Sequence, residues 1–442
     1  METCGYGREN SNDKELVYLV QPLPQSLLNY VFSFGALNKD DEKKYIYSII
    51  EKLFVEGEEK LHEATKEVIF NCHKYLRDKF DTSVVSLLEI SRFSKIVEFF
   101  QKYFSIKRKC EEKKDDNIIE NNKEKLDKKK LEKVNNNKVI EKIDKIISLI
   151  CSVYLCYYIR LIDEDKRVEF NNKLRDSLIN LVNSVKICET DKNSEKNDKS
   201  KEEDEENKGK EDLVSKIENT SLKLLIQDKG INYFSDFLRL EEEYLLNKIE
   251  LKKGIGKNDL LKENVFLMFV AVTTNIPLII VGKPGTGKSL SSQLIYNSMR
   301  GEYSKDKFFR EFPQIILSYF QGSESTKPED IEKLFEIAEN KLQFYKDKEE
   351  FKNIKLPISM ILFDELGLAE KSESNPLKVL HSKLEYTGKG GVSFIGISNY
   401  SLDAAKVNRA MSLSVPNLED KIDQLISTSN SIVERKYFGG FK

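Results

Sequence analysis

The run Gly282-Lys283-Pro284-Gly285-Thr286-Gly287-Lys288-Ser289 fits G-x-x-x-x-G-K-[ST], and a loop of that kind dictates its own surroundings. It needs a strand to deliver it and a helix to begin behind it. Both are legible. Ile276-Pro277-Leu278-Ile279-Ile280-Val281 is a short apolar run rich in β-branched residues and reads as a buried strand. Leu290, Leu294, Ile295 and Met299 then recur at helical spacing, up to a stop at Gly301. In such a loop the glycines let backbone N–H groups turn inward around phosphate oxygens, and the helix N-terminus adds partial positive charge. Gly282, Pro284, Gly285, Thr286, Gly287, Lys288, Ser289 and Leu290 are therefore the expected nucleotide contacts. Lys288 would reach the β- and γ-phosphates, and the Ser289 hydroxyl would ligate Mg²⁺.

A second strand, Met360-Ile361-Leu362-Phe363, ends in Asp364-Glu365. Around both runs, strands expected at 314–319, 358–363 and 392–398 alternate with helices expected at 259–274, 328–345, 375–386 and 401–411. Such alternation implies a parallel sheet covered on both faces. In a parallel sheet the loops at the carboxyl ends of the strands meet at one edge, which brings Asp364 to the phosphate loop. Asp364 would hold Mg²⁺ with Ser289, and Glu365 would orient and polarise an attacking water. The strand 392–398 ends at Asn399, whose amide could hydrogen-bond the γ-phosphate and that water. Arg409 is the remaining candidate for charge growing in the transition state. ATP and Mg²⁺ are the expected ligands.

Composition bounds the rest of the chain. A third of the residues are charged (33%) and 39% are hydrophobic, so much of the charge must lie in solvated segments. The formal net charge of −2 gives no overall pull toward nucleic acid or an anionic membrane. The six cysteines include no C-x-x-C pair, which points to buried thiols in a reducing, cytoplasmic compartment. Cys72-His73 is adjacent rather than metal-spaced and reads as packing. The apolar stretch from Ile146 to Ile159 is shorter than the roughly 20 residues of a membrane span and reads as a core helix. Asn38-Lys39-Asp40-Asp41 fits the base-reading N-K-x-D of GTPases, but it precedes the phosphate loop and reads as a turn.

In chain order, the expected divisions are a disordered opening at 1–14, a helical domain at 15–105 and a Lys/Glu/Asn-rich insert at 106–144. A helical segment at 145–188, a second charged insert at 189–212 and a helical linker at 213–257 follow. The P-loop unit occupies 258–442. The expected fold is thus an α/β P-loop NTPase preceded by an all-α domain, with disordered charged inserts.

The order of parts (P-loop, strand ending Asp-Glu, strand ending Asn, later Arg) resembles AAA+ ATPases. More specifically, Asp364-Glu365-Leu366-Gly367-Leu368-Ala369-Glu370 and Gly396-Ile397-Ser398-Asn399-Tyr400-Ser401-Leu402-Asp403 are similar to the mysterin family of giant RING-finger E3 ubiquitin ligases with dynein-like AAA+ modules. Glu263-Asn264-Val265-Phe266 belongs to the same resemblance. So do Gln21-Pro22-Leu23-Pro24 and Val85-Ser86-Leu87-Leu88-Glu89-Ile90-Ser91-Arg92, which are similar to the helical lid that closes a preceding module. The resemblance implies a five-stranded parallel sheet, neighbouring AAA+ modules as partners and an arginine, Arg409, facing a neighbour's nucleotide. It also implies that 258–442 stops before a lid of its own is complete, as in a fragment. Two departures bear on function. Leu88 stands where the family's lid would carry arginine, and no cysteine/histidine cluster is present, so ubiquitin transfer is expected only from other parts of a longer family member.

Overall fold

The computed structural model describes residues 2–4, 18–20, 24–28, 30–32, 38–80, 85–115, 126–185, 213–218, 220–252, 254–347, 355–402 and 409–415. The first half is helical: α1 (Gln25–Leu28), α2 (Lys39–Ile50), α3 (Glu59–Lys79), α4 (Leu88–Asp115), α5 (Leu126–Cys156) and α6 (Glu164–Asn183). A turn of helix at 213–216, α7, leads to α8 (Thr220–Lys229) and α9 (Ser235–Lys248). The second half then alternates: α10 (Asp259–Thr274), β3 (Leu278–Val281), α11 (Lys288–Ser298), α12 (Lys307–Arg310), β4 (Ile315–Gln321), α13 (Pro328–Asp347), β5 (Ile358–Asp364), α14 (Leu366–Glu370), α15 (Lys378–Gly390), β6 (Val392–Ser398) and β7 (Met411–Ser414). Before all of these, β1 (Glu2–Cys4) pairs antiparallel with β2 (Tyr18–Val20). The opening residues were expected to lack structure; backbone pairing of two short segments needs no apolar side chains.

Five strands form one parallel sheet in the order β4-β5-β6-β3-β7. Because side chains alternate across a strand, the central strands feed two cores. Leu278 and Ile280 join Met360, Leu362, Ile395 and Ile397 on the face covered by α10 and α11. Ile279 joins Ile361, Phe363 and Phe394 on the face covered by α13, α14 and α15. The chain leaves β3 for the far edge at β4 and returns through β5 to β6 beside β3, so the phosphate loop leaves the sheet where strand order reverses.

Helix α10 has apolar residues around nearly its whole circumference, and it is buried from Leu260 to Val272 apart from Lys262 and Glu263. It lies between the sheet and the helices α4 and α9. Phe266 and Phe269 pack edge-on and face-on with Phe99, Phe100 and Tyr103 of α4. The helical half and this face of the sheet therefore share one continuous core.

Three sequence expectations are refined or corrected by the structure. The helix expected at 401–411 does not reach its expected end: Met411–Ser414 is the fifth strand, hydrogen-bonded along β3, while 403–408 lie outside the described residues. In Met-Ser-Leu-Ser the apolar positions alternate, and Met411 and Leu413 are the buried ones. The insert at 106–144, expected to be disordered or a loose solvated helix, is helical at both ends, because α4 runs on to Asp115 and α5 begins at Leu126. There Ile106 packs into the shared core, and Lys107 reaches back to Glu241 of α9. Asn38 is a helix cap rather than a turn residue: its Oδ1 accepts from the Asp41 amide at 2.8 Å, the local bond that makes asparagine a good N-cap. The insert at 189–212 lies outside the described residues.

Candidate nucleotide site

The phosphate loop is built by three local features. Strand β3 ends at Val281, and the Gly282 amide continues the ladder onto Ser398 O at 3.1 Å, which fixes the loop beside the end of β6. Gly287, with φ +81°, takes a left-handed conformation that L side chains rarely adopt, and it caps α11. Thr286, buried, donates its hydroxyl to Lys283 O at 2.9 Å and closes the turn. Lys288 is 4% exposed and folds back over the loop, donating to Gly282 O at 2.6 Å and Lys283 O at 2.8 Å. Burial pulls its ammonium below the ordinary lysine value, and the nearby Glu365 and Asp364 carboxylates pull the other way. Ser289 lies exposed at the start of α11.

The carboxylates arrive as the strand pattern requires. Asp364 closes β5, and its carbonyl accepts from the Gly322 amide at 2.8 Å. One of its carboxylate oxygens accepts the Glu365 amide at 2.9 Å. Glu365 has φ 53°, a left-handed conformation uncommon for a residue with a Cβ, and surrounding contacts must hold it there. Two of those contacts are visible. Asn399 donates its side-chain amide to Glu365 Oε1 at 2.8 Å, and Gly367 lets α14 lie close on β6, since a Cβ at Gly367 would come within 2.7 Å of Ser398 Oγ.

Lys288, Asp364, Glu365 and Asn399 are thus gathered at the carboxyl edge of the sheet. Arg409 is not among them. It precedes β7, and the Met411 amide donates to Pro277 O at the amino end of β3, so Arg409 stands at the opposite edge. There it donates to His381 O at 2.6 Å and lines a recess of about 240 Å³ with Pro277 and, from α4, Leu88, Arg92 and Lys95.

One residue of the site carried no assigned role in the sequence reading. Asn264 of α10, 1% exposed, donates its amide to Thr286 O at 3.3 Å from beneath the loop. Asparagine in an otherwise apolar helix was the available signal. Cys72 and His73 are fully buried, and His73 lies between Glu42 and Tyr157, each at 3.1 Å, so the packing interpretation holds. Among the described residues there is no metal-binding cluster of His, Cys, Asp and Glu, and no helix is long and apolar enough to cross a membrane.

The strand order, the P-loop after β3 and the Asp-Glu pair after β5 define an α/β P-loop NTPase of the AAA+ kind. Residues 254–421 match the RNF213 AAA domain. Similarity extends further along the sequence. The chain is 29% identical to the E3 ubiquitin-protein ligase rnf213-beta of Danio rerio, with 95% of this chain and 7% of that protein covered. It is 28% identical to the E3 ubiquitin-protein ligase RNF213 of Homo sapiens, covering 97% and 7% respectively. The chain thus spans about 7% of the length of these relatives. A chain in the structure of Drosophila ORC bound to DNA matches 40% of this one and 47% of its own length, with a TM-score of 0.27 and 11% identity.

Proposed function

We propose that this chain binds ATP with Mg²⁺ and hydrolyses it, as an AAA+ module that couples nucleotide state to conformational change in an RNF213-like protein. The observation that carries the reading is the convergence of Lys288, Asp364, Glu365 and Asn399 beside one phosphate loop. The donor set fits the ligands. Backbone amides and a lysine suit phosphate, while the Ser289 hydroxyl and Asp364 carboxylate are hard oxygen donors suited to Mg²⁺. The metal would neutralise charge on the phosphate oxygens. Lys288 leaves the Gly282 and Lys283 carbonyls to bind phosphate, and Glu365 orients the attacking water and accepts its proton. Asn399 holds Glu365 until that water is in place. Arg409, away from this site, serves the nucleotide of an adjoining module.

A second reading has its own support: the chain could hold nucleotide without turning it over, because Glu365 is tied to Asn399 and sits in a left-handed backbone conformation. Ubiquitin transfer, the activity named for the relatives, would lie outside this chain. The buried thiols and neighbouring AAA+ modules fit a cytoplasmic assembly. Binding of a labelled ATP analogue to the native chain and to Lys288→Ala tests the first step. The native protein should bind and the variant should not; equal affinity would mean that the loop is not a phosphate site.

A further inference from the structure

A buried polar seam runs from the helical half of the molecule to the underside of the phosphate loop. Its outer end is Arg167 of α6, only 3% exposed. The guanidinium donates from Nε to Leu161 O at 2.8 Å and lies 5.0 Å from the centre of the Tyr158 ring. Its fork donates to both carboxylate oxygens of Glu263 on α10, at 2.8 and 3.3 Å. Burial alone would lower the guanidinium's pKa, but Glu263 outweighs it and holds the guanidinium charged. The next residue on α10 is Asn264, whose amide holds Thr286 O. Thr286 in turn receives Lys288 Nζ at 3.4 Å and donates to Lys283 O. Adjacent residues of one helical turn therefore grip the helical half and the phosphate loop.

Two features of the seam are costly for a merely structural contact. A buried ion pair contributes little net stability compared with well-packed apolar residues, although breaking it from one side is costly. Asn264 Oδ1 is fully buried with no hydrogen-bond partner, a desolvation cost that nothing in the resting loop offsets. Glu242 of α9, 5% exposed, faces the same seam; burial, then Glu263, push its carboxyl well above the ordinary range.

We infer that Asn264 is a positioning residue for the phosphate loop, and that the Arg167–Glu263 pair couples nucleotide binding at that loop to α6. The unpaired Asn264 oxygen is an acceptor held beneath a loop whose lysine must leave the Gly282 and Lys283 carbonyls when phosphate binds. Rearrangement of the loop gives that acceptor a donor. By linkage, whatever the seam contributes to nucleotide affinity, nucleotide returns to the seam. The inference rests on the ATP-binding reading above.

The test uses the full chain, with Mg-ATP or a non-hydrolysable analogue as probe. Single removal of Arg167 would strand Glu263 and risk unfolding, so Arg167→Met is combined with Glu263→Leu, which removes both charges together. That double variant should melt at or above the native temperature yet bind nucleotide at least about fivefold more weakly, the lower end of ordinary coupling. Asn264→Leu should weaken binding about tenfold. In the native protein, nucleotide should slow amide hydrogen exchange in α6, and the double variant should lose that protection. Native affinity in the folded double variant, or no protection of α6 in a native chain that binds nucleotide, overturns the coupling while leaving ATP binding intact. A native chain that binds no Mg-ATP overturns both.

Discussion

Lys288 shows how a single residue can be read both in the sequence and in the fold. The motif assigns its ammonium to phosphate; in the structure it folds onto two carbonyls of its own loop, which keeps a nearly buried charge hydrogen-bonded. Glu365 is held in a comparable resting state by the Asn399 amide. Replacing Glu365 with Gln keeps a group that can hydrogen-bond water but not one that can accept its proton. Glu365→Gln should therefore retain ATP and hydrolyse it at least about tenfold more slowly, about 1.4 kcal/mol in the barrier. Steady-state turnover and nucleotide retention, measured in a longer native protein that carries neighbouring modules, check this. Equal turnover would place the catalytic base elsewhere.

Among the elements, the buried network between α2, α3 and Tyr157 just after α5 yields a prediction with a defined sign. The Glu42 carboxylate accepts from Arg77 and meets His73 at 3.1 Å. The His73 hydrogen bond, opposed by burial and reinforced by Arg77, lowers its pKa from the ordinary 4.5 to about 2. A carboxyl whose folded pKa is depressed contributes stability above its unfolded pKa and loses it as pH falls toward the folded one. The gap in urea midpoint between the native protein and Glu42→Gln should be constant above about pH 5 and close between 4.5 and 2. A gap unchanged at the acid end would mean that the network does not act through charge. Elements of this kind were unevenly legible. Helix α10 was readable to its ends because Asn258 caps it and its apolar run is long, and β5 and β6 are nearly continuous apolar runs. The fifth strand was not, because four residues alternating with serine carry too little pattern to compete with the helical reading of the segment before them. Nor did the charged insert show that Lys107 of α4 is paired with Glu241 of α9, a partner far away in sequence that no local pattern announces. At the nucleotide site, Lys288, Asp364, Glu365 and Asn399 were legible because a motif and strand ends place them. Asn264 was not, because its role depends on which face of α10 meets the loop.

At the scale of the whole molecule, the sheet has two chemically different edges. One gathers the phosphate loop and its carboxylates; the other brings Arg409 into a recess with Arg92 and Lys95, two cations from a helix far upstream in sequence. Arg92 is paired with Glu89 at 2.9 Å, and burial, then Lys52 and Arg92, lower the pKa of the Lys95 ammonium against the opposing pull of Glu98. A planar, permanently charged guanidinium neutralises charge on a phosphoryl group better than lysine does, which supports Arg409 as the residue that acts on an adjoining module's nucleotide. Arg409→Ala should leave affinity at this chain's own loop within about twofold, since the two edges are separated by the length of β3. In the site that Arg409 abuts, hydrolysis should fall at least about tenfold. The competing role is local, because the guanidinium also holds His381 O and ties α15 to the turn before β7. The two separate in a longer native protein carrying both modules. A lower melting temperature with unchanged turnover would leave Arg409 as a structural tie, whereas Arg409→Lys that keeps the melting temperature but not the rate would show that the forked geometry at that edge acts on a neighbour.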